Sequence, residues 1–249
     1  MILDDIIRAT QLRIREPEED TETSNSPLSL KKAITSVQGR HAVIAEIKFS
    51  SPSAGRIRER ISPGEIAEEY QKGGCVALSV LTEPDFFGGR PEDIAAVKSA
   101  VPLPVLRKDF IIDQRQIAET RALGADAVLL IAGLLEERLS DFVSAACAAG
   151  LEPLVEVHTP DEANMALASG AEMIGINNRD LRTMEVRPET TAALAKPIRD
   201  AGRLVVSMSG IGGPEDIRRL APHADAFLAG TALMSAKDPK TVLEELVCA

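Results

Sequence analysis

Ala45-Glu46-Ile47-Lys48-Phe49-Ser50-Ser51-Pro52-Ser53 ends an apolar run that begins at Ala42, gains an acid and a base, and breaks into a turn of small residues. In an extended segment alternate residues share a face, so Ile44, Glu46 and Lys48 point one way and Val43, Ala45 and Ile47 the other. The two charges therefore sit together at the end of an apolar strand. Burying either one unpaired costs several kcal/mol or forces it to neutralise. Such a placement points to an active site at the strand's C-terminal end.

Working outward from this strand, Ala42 to Ile47, the chain keeps a steady alternation. Strands are predicted at Val76 to Leu81, Pro104 to Arg107, Ala127 to Ile131, Glu152 to Val157, Glu172 to Ile176, Arg203 to Ser207 and Ala224 to Ala229. Between them lie helical patterns at Pro63 to Gly73, Pro91 to Ala100, Gln114 to Leu123, Glu136 to Ala149, Pro160 to Ser169, Pro188 to Ala201 and Pro214 to Leu220. Several of these begin at proline, which suits a first helical position, and several meet Gly124, Gly150, Gly170 or Gly202 just before the next strand. The strands are near-continuous apolar runs, as in a parallel sheet buried on both faces. Alternation with that burial gives a closed barrel or an open doubly wound sheet. Eight units, and no G-x-G-x-x-G after the first strand, select the barrel. The predicted fold is a single (β/α)8 TIM barrel over residues 42–249, preceded by a helical extension and linker over residues 1–41. In that extension Met1 to Arg15 and Leu28 to Val37 read as helices, and the acidic stretch from Glu16 to Pro27, without apolar periodicity, reads as a mobile linker.

Composition agrees with a one-barrel reading and narrows the partners. The chain has 249 residues, and roughly 250 suits one such barrel. Its 28 Lys and Arg against 38 Asp and Glu give a net charge of −10, which opposes general affinity for nucleic acid or anionic membrane. The longest apolar run, Ala125 to Leu135 interrupted by Asp126, is far shorter than a membrane span. With no leader pattern at its start, the chain reads as cytoplasmic. Cys75, Cys147 and Cys248 show no metal-ligand spacing or disulfide pattern; the first two read as small apolar residues and the third as part of a loose tail.

In a barrel of this kind the reactive groups lie at the C-terminal ends of several strands. Glu46 and Lys48 end the first strand, Lys108 the third, Glu156 the fifth, and Asn177 with Arg179 the sixth. The loops after strands seven and eight contain Ser209-Gly210-Ile211-Gly212-Gly213-Pro214 and Ala229-Gly230-Thr231-Ala232. Glycines let backbone N–H groups approach an anion, and these two loops commonly hold phosphate in the barrel. Ser51 adds a hydroxyl from the first loop.

The runs Glu46-Ile47-Lys48 with Ser51-Pro52-Ser53, Leu81-Thr82-Glu83 with Phe86-Phe87-Gly88-Gly89, and Leu106-Arg107-Lys108-Asp109-Phe110 resemble indole-3-glycerol phosphate synthase. So do Leu154-Val155-Glu156-Val157-His158, Gly175-Ile176-Asn177-Asn178-Arg179-Asp180-Leu181 and Ser209-Gly210-Ile211, and the likeness runs from about residue 30 to 240. It implies a cofactor-free carboxy-lyase of tryptophan biosynthesis. Such an enzyme closes the indole ring of 1-(2-carboxyphenylamino)-1-deoxyribulose 5-phosphate with loss of CO2 and water. The resemblance implies that Lys108 is the general acid, that Lys48 binds the substrate carboxylate and assists dehydration, and that Glu156 is the complementary acid/base. Glu46 would orient Lys48, and Asn177 and Arg179 would bind substrate or order the barrel mouth. Phe87, Phe110, Leu129 and Leu181 would hold the aromatic ring, with Ser51, Ser209, Gly210, Gly230 and Thr231 on the phosphate. Which lysine gives which proton stays open. The implied partner is a small phosphorylated molecule, with no metal and with the protein as a monomer or weak homo-oligomer.

The chain departs from that pattern at one inward position. Where the family usually reads Ser-Glu-Ser-Gly-Ile, it reads Ser207-Met208-Ser209-Gly210-Ile211, so a thioether that neither takes nor gives a proton stands where a carboxylate is expected. By parity with Val206, Met208 faces the mouth. That departure opens the alternative of a low-activity or inactive paralogue or variant. Independently of it, an isomerase of ribosyl-phosphate amino compounds on the same barrel would share the phosphate loops but would not require both Lys48 and Lys108. His158, His41 and His223 are left without a catalytic role, and Asp109 and Asp180 are assigned to bracing loops.

Overall fold

The computed structural model describes residues 2–15, 27–180 and 183–249. The reading of Glu16 to Pro27 as a linker lies almost wholly outside these residues, as does Leu181. Eight parallel strands among the described residues form a closed barrel. They are β1 (Ala42–Ile47), β2 (Ala77–Leu81), β3 (Val105–Lys108), β4 (Ala127–Ile131), β5 (Glu152–Val157), β6 (Met173–Asn177), β7 (Leu204–Met208) and β8 (Ala226–Ala229). Each pairs with its neighbours in sequence, and β1 closes on β8 with Ala45 opposite Ala229.

Period-two alternation divides the strands between two apolar layers. Ile44, Leu106, Leu129, Leu154, Val206 and Leu228 fill the barrel interior. Val43, Ala45, Ile47, Val128, Val155, Ile174 and Phe227 pack outward against the helices. Strand ends fall within a residue or two of the sequence expectation, and β3, β6 and β7 each run on to include Lys108, Asn177 and Met208. Those three residues thus end in ladder positions rather than in loops.

The helices are α1 (Ile2–Arg13), α2 (Leu30–Thr35), α3 (Pro63–Lys72), α4 (Pro84–Phe87), α5 (Asp93–Ala100), α6 (Arg115–Ala122), α7 (Ala132–Leu135), α8 (Leu139–Ala148), α9 (Pro160–Ala168), α10 (Glu189–Asp200), α11 (Pro214–Leu220), α12 (Thr231–Ser235) and α13 (Pro239–Val247). Gly124 and Gly202 follow their helices with φ of 84° and 73°, the left-handed turn that glycine adopts without a Cβ penalty. The sequence reading did not separate α4, whose N-cap Glu83 accepts from the backbone N–H groups of Asp85, Phe86 and Phe87. It also missed the small hairpin pairing Ser50–Ser51 with Gly55–Arg56.

The N-terminal extension touches both ends of the barrel. At the strand N-terminal end α2 is tied down by carboxylates from the strand starts. Asp126 accepts from Leu28 N at 2.7 Å, and Glu152 accepts from Ser29 Oγ at 2.6 Å and Lys31 N at 2.9 Å. At the other end α1 packs on α4, and Arg13 reaches Glu83 at 3.4 Å and Asp109 at 3.9 Å. No helix among the described residues is long and apolar enough to cross a membrane. Cys75 is buried, and burial pushes its thiol up to about 12. Cys147 is exposed on α8 rather than packed inside. Cys248 caps α13, its N–H donating to Glu244 O, rather than lying in a loose tail.

Candidate active site

The strand C-terminal ends surround a cavity of about 600 Å³. Glu46, Lys48, Ser51, Phe87, Lys108, Phe110, Leu129, Glu156, Asn177, Arg179, Met208, Ser209, Gly210, Gly230 and Thr231 all line it. Every site residue expected from sequence is therefore in one mouth except Leu181, which lies outside the described residues. Register explains the convergence: Leu81 is level with Lys108, Glu156 with Gly175, and Asn177 with Met208, so the strand ends form one ring of positions.

Four of the ionisable groups form two pairs. Lys48 Nζ lies 2.6 Å from Glu46 Oε1, with Glu46 almost fully buried. Lys108 Nζ lies 3.5 Å from Glu156 Oε2. Glu156 Oε1 accepts from Asn177 Nδ2 at 2.9 Å, and Asn177 Oδ1 accepts from Arg179 N at 3.0 Å. Burial alone would raise the Glu156 pKa, but the charges of Lys108 and His158 and the hydrogen bonds from Asn177 and Lys108 outweigh it and hold it below the ordinary value. A buried, ionised carboxylate beside an ammonium can take a proton while the ammonium gives one. Gly230 is packed against the other pair: a Cβ there would stand 2.3 Å from Glu46 Oε1.

Phe87 and Phe110 face each other with ring centroids 6.1 Å apart and planes inclined by 37°. With Leu129 they make an apolar wall on the β2–β4 side of the mouth, suited to a flat ring. On the opposite side, Ser209 has φ of 65° and Gly210 of 78°. A non-glycine residue held in the left-handed region costs of order 1 kcal/mol or more. Its neighbours fix it there: Asn178 Nδ2 donates to Ser209 O at 3.1 Å and to Ser207 Oγ at 3.2 Å. In the same loop Gly212 N and Gly213 N both donate to Asp216 Oδ2, at 2.8 and 3.2 Å. These two N–H groups are engaged by the chain's own carboxylate.

Arg179 braces the rim, with Nη1 donating to Met184 O at 2.9 Å and its backbone bridged to Val186. Asp109 braces its loop: Oδ1 accepts from Phe110 N at 2.8 Å, and Oδ2 from Thr82 Oγ1 at 2.5 Å and Arg107 Nη2 at 3.2 Å. Met208 is 1 % exposed. Its Sδ and Cε lie over Gly175, where a Cβ would come within 3.0 and 2.8 Å of them. The thioether takes a place in the mouth and does not turn away from it.

Several contributors went unread in the sequence. Ile131 and Leu228 line the cavity, as their spacing by twos from Leu129 and Ala226 allowed. Asn178 joins the ends of β6 and β7 to α10, its Oδ1 accepting from Thr191 N and Oγ1 at 3.1 and 2.8 Å. It lies inside the run Gly175 to Leu181 that carries the family resemblance, but that run assigns it no role. His158, which the sequence leaves without a role, stands two residues beyond Glu156, on the same parity, and its Nε2 lies 3.4 Å from Glu156 Oε1.

The family described as Indole-3-glycerol phosphate synthase matches residues 4–246. An indole-3-glycerol phosphate synthase of Carboxydothermus hydrogenoformans is 45% identical over 238 residues, covering 94% of this chain and 90% of that protein. That of Aquifex aeolicus is 44% identical over 237 residues, covering 94% and 91%. That of Bordetella pertussis is 49% identical over 212 residues, covering 84% and 80%. Among solved structures, a tryptophan synthase from M. tuberculosis superposes with a TM-score of 0.64 at 14% identity, covering 87% of this chain and 96% of that one. Thiamine phosphate pyrophosphorylase from Pyrococcus furiosus gives 0.60 at 16% identity, covering 88% and 96%. At such identities these two likenesses are of fold alone.

Proposed function

The chain belongs to the indole-3-glycerol phosphate synthase family, and we propose how the residues at its barrel mouth divide the work of that family's reaction. It is a carboxy-lyase that closes the indole ring of 1-(2-carboxyphenylamino)-1-deoxyribulose 5-phosphate with loss of CO2 and water. Closure joins the carboxylate-bearing ring carbon to the ketone carbon, so the ketone oxygen must gain a proton, the carboxylate must leave, and the new hydroxyl must depart as water.

Lys108 is assigned as the acid that polarises and protonates the ketone oxygen. Lys48 holds the substrate carboxylate until CO2 departs and assists dehydration, with Glu46 orienting its ammonium. Glu156 is the complementary acid/base of the dehydration, and Asn177 aligns both Glu156 and the substrate. Phe87, Phe110, Leu129 and Leu181 take the aromatic ring. Ser51, Ser209, Gly210, Gly230 and Thr231 take the phosphate, and Arg179 orders the rim. The observation that carries this division is the pair of lysine–glutamate contacts, 2.6 and 3.5 Å, opening on one cavity.

Residues 42–249 make up the barrel and residues 1–41 an extension to it. The acidic net charge of −10 supports a small phosphorylated substrate over nucleic acid, and we place the enzyme in the cytoplasm as a monomer or weak homo-oligomer. Met208 favours slower turnover than a carboxylate at that position would give. The test is indole formation from the carboxyphenylamino-deoxyribulose phosphate, followed by absorbance, with Lys108→Ala as control. Loss of a general acid lowers kcat by roughly 10²–10⁴-fold. No product from the wild type would sink the assignment, and a Lys108→Ala variant as fast as wild type would displace Lys108 as the acid.

A further inference from the structure

Glu156 is approached from behind as well as from the cavity. His158 stands just past the end of β5, with its side chain 16% exposed. Its Nδ1 lies 3.2 Å from Glu162 Oε2, and that same oxygen accepts the His158 backbone N–H at 2.6 Å. The ring is thereby fixed. Its other nitrogen, Nε2, is buried without a hydrogen-bond partner and lies 3.4 Å from Glu156 Oε1.

The chemistry of the three groups is restrictive. An ionised carboxylate only accepts, so the proton on the Glu162 side belongs to Nδ1. Nε2 then carries either a bare lone pair or a second proton, and it faces a carboxylate oxygen. A lone pair there repels an ionised Glu156 and welcomes a protonated one; an N–H there does the reverse. Among the described residues, the charged groups facing the ring are Glu156 from β5, Glu162 from α9 and Asp180 from the loop after β6, while Lys108 stands at the other oxygen of Glu156. Burial pulls the imidazole pKa down. The Glu162 hydrogen bond and the three carboxylates outweigh it and hold the imidazole above its ordinary value.

We propose that His158 is a positioning residue of the ring-closing reaction that acts through Glu156, exchanging a proton between its Nε2 and Glu156 Oε1. This rests on Glu156 being the acid/base of the reaction. When Glu156 has taken a proton from the substrate, its O–H bond breaks as an Nε2–H bond forms, leaving a carboxylate and an imidazolium with no change of oxidation state. The imidazolium then returns that proton to Glu156 for departure of the hydroxyl as water, or releases it to solvent at the rim, where Glu162 is 18% exposed. Bringing 3.4 Å to hydrogen-bond length needs a movement of about 0.5 Å.

Two measurements test this. The chain has three histidines, so the ring proton resonance lost in His158→Asn identifies His158 by NMR. In the wild type it should titrate above 6.5, and in Glu156→Gln its midpoint should fall by about one pH unit. A midpoint at or below the ordinary value, or one indifferent to Glu156→Gln, overturns the proposal whether or not the enzyme turns over. In kinetics, His158→Asn should lower kcat about tenfold with KM held within about twofold. The acidic limb of kcat against pH should move up by about one pH unit, because Glu156 has lost the cation that favours its ionised form. Glu162→Gln should move the limb the same way, and it serves in place of the asparagine variant if that one does not fold. A folded variant with unchanged kcat and limb overturns the relay while leaving the assignment of Lys108 and Glu156 standing. Absence of product from the wild type strikes that assignment instead, and the NMR titration still decides the coupling.

Discussion

Replacing Met208 by glutamate puts a carboxylate at the inward position where the family usually has one, and its effects on stability and rate should have opposite signs. Met208 is 1 % exposed and packs its thioether over Gly175. Full burial of a methionine side chain contributes about 1.5–3 kcal/mol. Glutamate has nearly the same length, so it keeps most of the volume but exchanges the thioether for a group that must be hydrated or hydrogen-bonded. Its cross-strand partner Asn177 already gives Nδ2 to Glu156, so donors are scarce on that side, and the open cavity supplies the remaining hydration. We expect a net loss of about 2 kcal/mol, which in a chain of this size lowers Tm by roughly 4–8 °C. Turnover should rise. A preorganised polar group aimed at the reacting centre contributes roughly 10²–10³-fold where it has been removed, and partial recovery of at least about tenfold in kcat is expected. The assay is the initial rate of indole formation at saturating substrate, with Met208→Gln alongside. Glutamine restores hydrogen bonding without the charge and should recover less than glutamate. A folded Met208→Glu enzyme with unchanged or lower kcat would mean that the surrounding side chains have adapted to the thioether, and the reasoning would fail.

Three other outcomes are expected. Gly230→Ala brings a methyl to 2.3 Å from Glu46 Oε1, which must swing the carboxylate off Lys48; kcat should drop by about 10²-fold with circular dichroism unchanged, and a wild-type rate would count against the role of the pair. Arg107 is 2% exposed and donates to Thr82, Thr120, Gln116 O and Asp109. Arg107→Met removes the nearer cation of buried Asp109 and leaves it only Arg13 at 3.9 Å, and should cost about 3–5 kcal/mol by urea unfolding; a loss below about 1 kcal/mol would contradict that account. The third concerns acid. Because the Glu156 pKa is depressed in the folded protein, its contribution to stability is present above the ordinary value of 4.5 and is lost as pH falls through the folded value. As pH falls below the ordinary value, Glu156→Gln should therefore lose stability less steeply than wild type, and parallel curves would refute the depressed pKa.

The barrel was legible because its strands carry apolar residues on both faces and its helices are punctuated by proline and glycine. The strand-end groups were legible by parity: Glu46, Lys108, Glu156, Asn177 and Met208 all line the mouth, as counting by twos requires. What was not legible depended on atoms distant in sequence. The role of Asn178 comes from contacts with Ser207, Ser209 and Thr191, which only the packing of α10 on β6 and β7 brings near. Asp216 gave no sign that it would occupy two N–H groups of the loop expected to hold phosphate. The place of His158 was available by the same count that found Glu156; its hold on Glu162 was not, since that needs the turn into α9.

The ties at the strand N-terminal end, where Asp126 and Glu152 hold the start of α2, have a consequence for mutational history. None of those bonds uses a side chain that lines the reacting cavity. A lineage can therefore exchange groups at the mouth while the opposite end goes on closing the barrel, and losses of activity there need not become losses of folding. Met208 has the character of such a change: a thioether at the mouth that sits over Gly175 while the scaffold beneath it keeps its own ties.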